Sequence, residues 1–189
     1  MLRSVLRSVK LLAVLLALIL DCAIRSPRAG VEAAVSVDLV GEADRPEAGE
    51  VLTLSALWNL NDFRFSDDPQ HGDNRIAGTP PNVVRVGARY SRPELLGAKA
   101  VYVAPQIDWV PRGAFADQAN SARAPGYALV GVEAGFEPRP GVLVYLDARN
   151  LTDKAYVSDI STAIAATPAS AIYYPGERRS VFAGLRLSF

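Results

Sequence analysis

Residues 127–149 read YALVGVEAGFEPRPGVLVYLDAR, two alternating runs that meet at a compact turn, EPRPG. In the first run Ala128, Val130, Val132, Ala134 and Phe136 stand opposite Tyr127, Gly131, Glu133 and Glu137; in the second Val142, Val144, Leu146 and Ala148 stand opposite Tyr145, Asp147 and Arg149. Successive side chains of a strand point to opposite faces, so this period of two predicts a hairpin with one aliphatic and one charged face. The pattern continues on both sides. Upstream, Val31, Ala33, Val35, Val37 and Leu39 alternate with Glu32, Ser36 and Asp38, and Leu52, Leu54, Ala56, Trp58 and Leu60 with Thr53, Ser55 and Asn59. Val84, Val86, Ala88 and Tyr90 then oppose Arg85, Gly87 and Arg89, and Val101, Val103, Ile107 and Trp109 oppose Tyr102, Gln106 and Asp108. Downstream, Val181, Ala183, Leu185, Leu187 and Phe189 alternate with Arg186 and Ser188, which makes seven strands.

The connectors alternate as well. GEADRPEAGE, SRPELLGAK and EPRPG are compact, whereas NDFRFSDDPQHGDNRIAGTPP, PRGAFADQANSARAPG and the segment 158–176 are long. Long loops therefore gather at one end and short turns at the other. Strands of about ten residues, apolar on one face and polar on the other, with alternating short and long connections, are what a transmembrane β-barrel requires. Trp58, Tyr90, Trp109, Tyr127, Phe136 and Phe189 sit near strand ends, where such a barrel carries its aromatic girdles. A secreted β-sandwich also alternates and is the competing architecture.

Composition narrows the function. The 189 residues carry 20 basic and 20 acidic side chains, so no net field recruits a phosphate backbone, and nucleic acid is not an expected partner. A single cysteine, Cys22, excludes a disulfide framework and a multi-cysteine zinc site. Residues 1–30 read as a separate unit, in which Arg3, Arg7 and Lys10 precede ten unbroken apolar residues, LLAVLLALIL, closed by Asp21. A basic segment followed by an apolar run half the length of a ~20-residue membrane span predicts a signal-like hydrophobic helix. Its cleavage region is poor, so a start not native to the domain behind it is the other reading. The domain itself is expected over residues 31–189.

The segment from YALVGVEAGF to the C-terminus resembles the C-terminal end of the TonB-dependent outer-membrane receptors. The resemblance rests on an N-L-x-D-K-x-Y element, here Asn150, Leu151, Asp153, Lys154 and Tyr156, and on a P-G-x-x-R segment, here Pro175, Gly176 and Arg179. A final strand ending in Phe189, with Leu187 and Leu185 on its apolar face, completes it. Upstream stretches, such as the one from Leu57 to Phe65 and NRIAGTPPNVVRVGARY, are similar to further strands of these receptors. The resemblance implies an all-β fold, an antiparallel transmembrane β-barrel segment in the outer membrane of a Gram-negative bacterium. It also implies contact with outer-membrane lipid and recognition of the C-terminal strand by the barrel-assembly machinery. Intact relatives take up ferric siderophores, haem, cobalamin or similar nutrients with energy from the TonB complex, by binding and gated passage and without a cofactor. Such receptors have about 22 strands around a plugged lumen. Seven strands are about a third of that, so the chain is expected to be a receptor segment that does not transport alone. The alternatives are a complete small barrel, with an eighth strand between Tyr156 and Ile164, and the soluble sandwich.

Two groups of residues are the candidates for function. Arg85, Arg89, Asp108, Glu133, Asp147 and Arg149 recur on the polar strand faces and are expected to line the lumen. In the first long loop Asp67, Asp68, His71 and Asp73 gather around the only histidine, and with Arg123 of the second they are the candidate ligand contacts at the outer face. Their spacing fits no calcium loop, and no metal site is assigned to them. Ser66, His71 and Asp73 lie outside any G-x-S-x-G context, so no enzymatic activity is expected.

Overall fold

The computed structural model describes residues 30–41, 49–167, 170 and 172–189. Every regular element among them is a strand: β1 (Gly30–Val40), β2 (Val51–Asn61), β3 (Asn82–Pro93), β4 (Ala100–Val110), β5 (Tyr127–Arg139), β6 (Val142–Arg149), β7 (Val157–Ile160), β8 (Tyr173–Pro175) and β9 (Ser180–Leu187). Seven of these form one antiparallel sheet in the order β1-β2-β3-β4-β5-β6-β9, with β1 and β9 as its edges. The signal-like helix expected before Gly30 lies outside the described residues.

The registers carry the alternating pattern across the sheet. Ala33, Trp58, Val84, Trp109 and Ala128 stand in one row of the apolar face near the long-loop end. Val101, Phe136, Val144 and Leu185 form another near the turn end. From Val101 to Trp109 the strand spans about 27 Å at roughly 3.4 Å per residue. Tilted by about 40°, that comes to some 20 Å of height, close to the ~25 Å apolar band of an outer-membrane barrel. No second sheet covers this face among the described residues. Leu54, Val86, Ile107, Trp109, Leu146, Val181, Leu185 and Leu187 are each at least 43% exposed. A sandwich buries such a face against a partner sheet, and the described residues are not arranged as one.

Three expectations are corrected in detail. Strict alternation assigns Leu39 to the apolar face, but Asp38 pairs with Thr53 and Val40 with Leu52, so Leu39 is the extra residue of a bulge and Val40 takes its place. Tyr127 has the parity of the polar face and packs against Tyr156 at 4.6 Å between ring centroids, which removes it from the girdle. The proposed eighth strand is only the four-residue β7, paired with β8 in a separate two-stranded sheet inside the last long loop. Pro105, in the middle of β4, explains one gap in the ladder. The β3–β4 register passes from Gly87–Gln106 to Tyr90–Val103, because proline has no N–H to offer there.

On the polar face one row runs Tyr102, Gly135, Tyr145, Gly184. Each tyrosine side chain covers the next glycine, so that a Cβ on Gly135 would collide with Cε1 and Cζ of Tyr102 and one on Gly184 with Cζ and the hydroxyl of Tyr145. Gly131, on the same face of β5, has more room, since its Cβ would meet Ala148 O at 3.2 Å and the flexible Gln106 side chain at 3.6 Å. Replacing Gly135 by Ala should therefore cost about 1–3 kcal/mol through displacement of the ring, whereas Gly131→Ala should stay within about 0.5 kcal/mol. The temperature at which the folded band disappears in an unheated-gel assay measures both, and equal behaviour of the two variants would refute the contrast.

Candidate functional site

The polar face owes its charges to register. Arg85 stands opposite Asp108 and is bonded to it at 2.5 Å, and Asp147 accepts from the Nε of Arg149, two residues along its own strand, at 2.7 Å. Glu133 faces Asp147 across β5 and β6, accepts the phenolic hydrogen of Tyr102, and Tyr102 in turn carries the Arg89 guanidinium 3.7 Å above its ring. These pairs are partly exposed and worth about 0–1 kcal/mol each, so they order the face without holding the sheet together. Five of the six predicted residues of this face, Arg85, Asp108, Glu133, Asp147 and Arg149, line one cleft of about 480 Å³. Asn150, Tyr156 and Glu177 of the last long loop complete its wall on the loop side. Arg89 is the exception and lines a second hollow of about 340 Å³ towards the turn end, with Tyr102 and Ser91.

The acidic loop folds back on itself as a small hairpin, with Arg64 bridged to Arg75 and Asp68 to Gly72. The Asp68 carboxylate accepts from the backbone N–H groups of Gln70 at 2.9 Å and His71 at 2.8 Å, and these bonds hold its carboxyl below the ordinary carboxylate value. His71 packs against Phe65 with 4.8 Å between ring centroids, and the Asp73 carboxylate reaches the N–H of Asp67 only at 3.5 Å. Among the described residues no group of three or more His, Cys, Asp or Glu is placed to hold a metal ion. Arg123 belongs to a different group: its guanidinium lies 4.1 Å from the Phe115 ring centroid, and burial, then the charges of Arg112 and Arg75, lower its pKa.

The N-L-x-D-K-x-Y and P-G-x-x-R residues have a common structural role. They staple the two ends of the loop between β6 and β9. Asn150, only 4% exposed, accepts from Lys154 N at 2.8 Å and donates to the carbonyls of Lys154 at 2.9 Å and Glu177 at 3.0 Å. Leu151 N anchors the staple on Val130 O at 2.8 Å, and Asp153 takes both Nε and Nη2 of Arg178, at 2.9 and 2.5 Å, together with Arg179 N at 3.1 Å. The Tyr156 ring lies on Gly176, whose N–H donates to Tyr156 O at 2.8 Å, while Pro175 pairs with Val157. At the far end of the sheet Leu187 is 56% exposed on the apolar face and Phe189 continues beyond β9.

One residue that sequence patterning does not single out is Asp117, fully buried in the loop between β4 and β5. Burial pushes its carboxyl upward, but bonds from Ser121 Oγ and from the N–H groups of Ala166, Ala122 and Ser121 together outweigh this and hold it below its ordinary value. Nothing in the string ADQANS distinguishes this aspartate from a solvated loop residue, because its partners include one 49 residues away.

The Arg178 bonds, then that of Arg179, bring the Asp153 carboxyl from 3.8 down to about 2. A depressed folded-state value stabilises the staple fully above the ordinary value and loses that contribution as the pH falls through the depressed one. Hydrogen exchange at Lys154 and Arg179, corrected for intrinsic rates, should therefore hold its protection down to about pH 4 and lose it towards pH 2. Asp153→Asn should lack this step; a step of the same size in the variant would assign it to another group.

Residues 28–151 match the family model described as TonB dependent receptor-like, beta-barrel. No curated protein matches the chain.

Proposed function

Because the chain belongs to the TonB-dependent receptor β-barrel family, a family of outer-membrane receptors and transporters, we propose that its sheet is one wall of an uptake barrel. The apolar face meets outer-membrane lipid, and the polar face, with Arg85, Arg89, Asp108, Glu133, Asp147 and Arg149, lines the lumen. The three long loops face the cell exterior. Leu185, Leu187 and Phe189 present the C-terminal stripe to the barrel-assembly machinery at the periplasmic end. The observation that carries this reading is the convergence of five charged side chains in one cleft, on the face opposite an uncovered aliphatic one.

The ligand on this reading is a ferric siderophore or a similar chelate. Arg112 and Arg123 supply positive charge for an anionic complex at the mouth, and the hairpin carrying Asp67, Asp68, His71 and Asp73 forms part of the same rim. Passage is binding followed by gated movement, driven through TonB in the intact receptor, and no covalent bond is made or broken.

The edges of the sheet support a larger barrel. β1 and β9 both run from the loop end to the turn end, so joining them would create a parallel pair in an otherwise antiparallel sheet. Two copies inserted in the same orientation meet the same obstacle. Each edge needs a neighbour running the other way, and lipid offers its backbone groups no substitute. The seven strands are thus about a third of a barrel and do not transport alone.

Expressed in a Gram-negative host, the full-length chain should sediment with outer membranes and require detergent for extraction. In a Cys22→Ser background, Gln70→Cys should react with an impermeant maleimide on intact cells and Lys99→Cys only after permeabilisation. A soluble periplasmic product, or the reverse labelling order, would overturn the assignment. Uptake of labelled ferric siderophore by this chain alone would overturn the segment reading while leaving the membrane reading in place.

A further inference from the structure

The apolar face of the sheet does not end level. In the row Val101, Phe136, Val144, Leu185 the residue contributed by β3 is a cation, Arg92, opposite Val101. One row nearer the turns, β6 and β9 still carry Val142 and Leu187, while β5 contributes Arg139, opposite Val142. Just outside the strands, Glu50 has the parity of Leu52, and Lys99, whose N–H continues the ladder to Glu137 O at 2.8 Å, has that of Val101. At the loop end the border moves in the same sense, from Leu60 on β2 and Val84 on β3 to Ala148 on β6 and Val181 on β9. The shift is about one residue per strand, and about 3.4 Å along the strands for every ~4.8 Å across them is a slope of roughly 35°. That is the low end of the strand tilt in outer-membrane barrels, so strands leaning by this angle turn the stepped border into a level one. Glu50, Arg92, Lys99 and Arg139 then stand at one height, along the turn-side edge of the lipid-facing band.

All four side chains are exposed, and among the described residues no carboxylate is ion-paired to Arg92, Lys99 or Arg139. Lys99 is the diagonal neighbour of Arg92 across the β3–β4 hairpin, a separation of about 7–8 Å that two long side chains close on one small anion. Glu50 accepts the hydroxyl hydrogen of Tyr90 at 2.8 Å, and the Arg92 guanidinium lies beside the same hydroxyl, so the tyrosine holds a carboxylate and a cation side by side. We propose that Glu50, Tyr90, Arg92 and Lys99 form a headgroup site for a glycerophospholipid whose headgroup carries a phosphate and a primary ammonium, as phosphatidylethanolamine does. The inference rests on the reading that the apolar face meets outer-membrane lipid. Arg92 and Lys99 take the phosphate through charge-assisted bonds, for which the guanidinium offers two parallel donors. Glu50 accepts from the ammonium. The acyl chains continue over the aliphatic rows above, where Leu54 and Val103 are 43% and 40% exposed. Charge complementarity selects the headgroup: phosphatidylglycerol has no ammonium for Glu50, and the choline of phosphatidylcholine has no N–H to donate.

The full-length chain, extracted from outer membranes in mild detergent and titrated with phosphatidylethanolamine, phosphatidylglycerol or phosphatidylcholine, tests this by native mass spectrometry of the bound lipid. Phosphatidylethanolamine should bind about fivefold or more tightly than either of the others. Arg92→Gln combined with Lys99→Gln should weaken it about tenfold. Glu50→Gln, which keeps an acceptor for Tyr90, should retain binding and lose the preference over phosphatidylglycerol. Arg64→Gln, at the loop end, should behave as the unsubstituted chain. Equal affinity for the three lipids, or unchanged affinity in the Arg92 and Lys99 double variant, would overturn the proposal. The folded band on an unheated gel reports the integrity of each variant, and if the double variant loses it the outcome for Glu50→Gln decides. A chain absent from the outer-membrane fraction overturns the membrane reading itself, whereas a chain present there without a headgroup preference overturns this site alone.

Discussion

In an outer-membrane barrel, the architecture of this family, every backbone N–H and C=O must find its partner within protein, and on the proposed reading the rest of this structure follows from that requirement. It explains why the chain spends its membrane-length segments as seven strands in one antiparallel sheet and why those strands are joined in sequence order, each pairing with the next. Of the three places where the sheet's ladder departs from regularity, two have local causes, a bulge at Leu39 and the missing N–H of Pro105, and the third is the register shift between Phe136 and Arg139 beside the β5–β6 turn. On the proposed reading as one wall of a larger barrel, the same requirement falls on the edges β1 and β9, whose shared direction determines the kind of strand that can pair with them.

Because the sheet has lipid-compatible side chains on one face and water-compatible ones on the other, it has no interior of its own. Cohesion within it comes from the ladder and from close contacts such as Tyr102 on Gly135. The buried packing has moved to the loop end, where small alanine side chains let three loops approach closely and Asp117 gathers four donors. The family's short motif belongs to that region. Asn150, Asp153, Tyr156 and Gly176 close the neck of the longest loop and so position the wall of the cleft.

The sheet was legible in the sequence because a strand's two faces are written in neighbouring residues. Val130 and Glu133, or Val86 and Arg85, declare their sides by parity alone, and the seven strands follow from repeating that reading. Parity failed where it was read too strictly, at Leu39, where one inserted residue shifts the phase, and at Tyr127, whose position near a strand end suggested a membrane interface while its parity placed it on the polar face. The candidate charged face was also visible, and four of its six residues meet neighbours dictated by register. The acidic loop shows why such a run of residues is hard to read. A short run of Asp and His can serve a ligand or its own backbone, and Asp68 turned to the N–H groups of Gln70 and His71.

What the sequence by itself determined was the sheet: the strand count, the sidedness of each strand and the end at which the long loops gather, all properties that depend on residues one or two positions apart. What only the tertiary structure decided was how distant segments meet at the loop end: Asp117 with Ala166, Asn120 with Arg75, Asp153 with Arg178, and five strand charges in one cleft with Tyr156 and Glu177. Those contacts span tens of residues through irregular backbone. Side-chain hydrogen bonds between such segments leave no period in the sequence, because each depends on where two chains happen to cross in space.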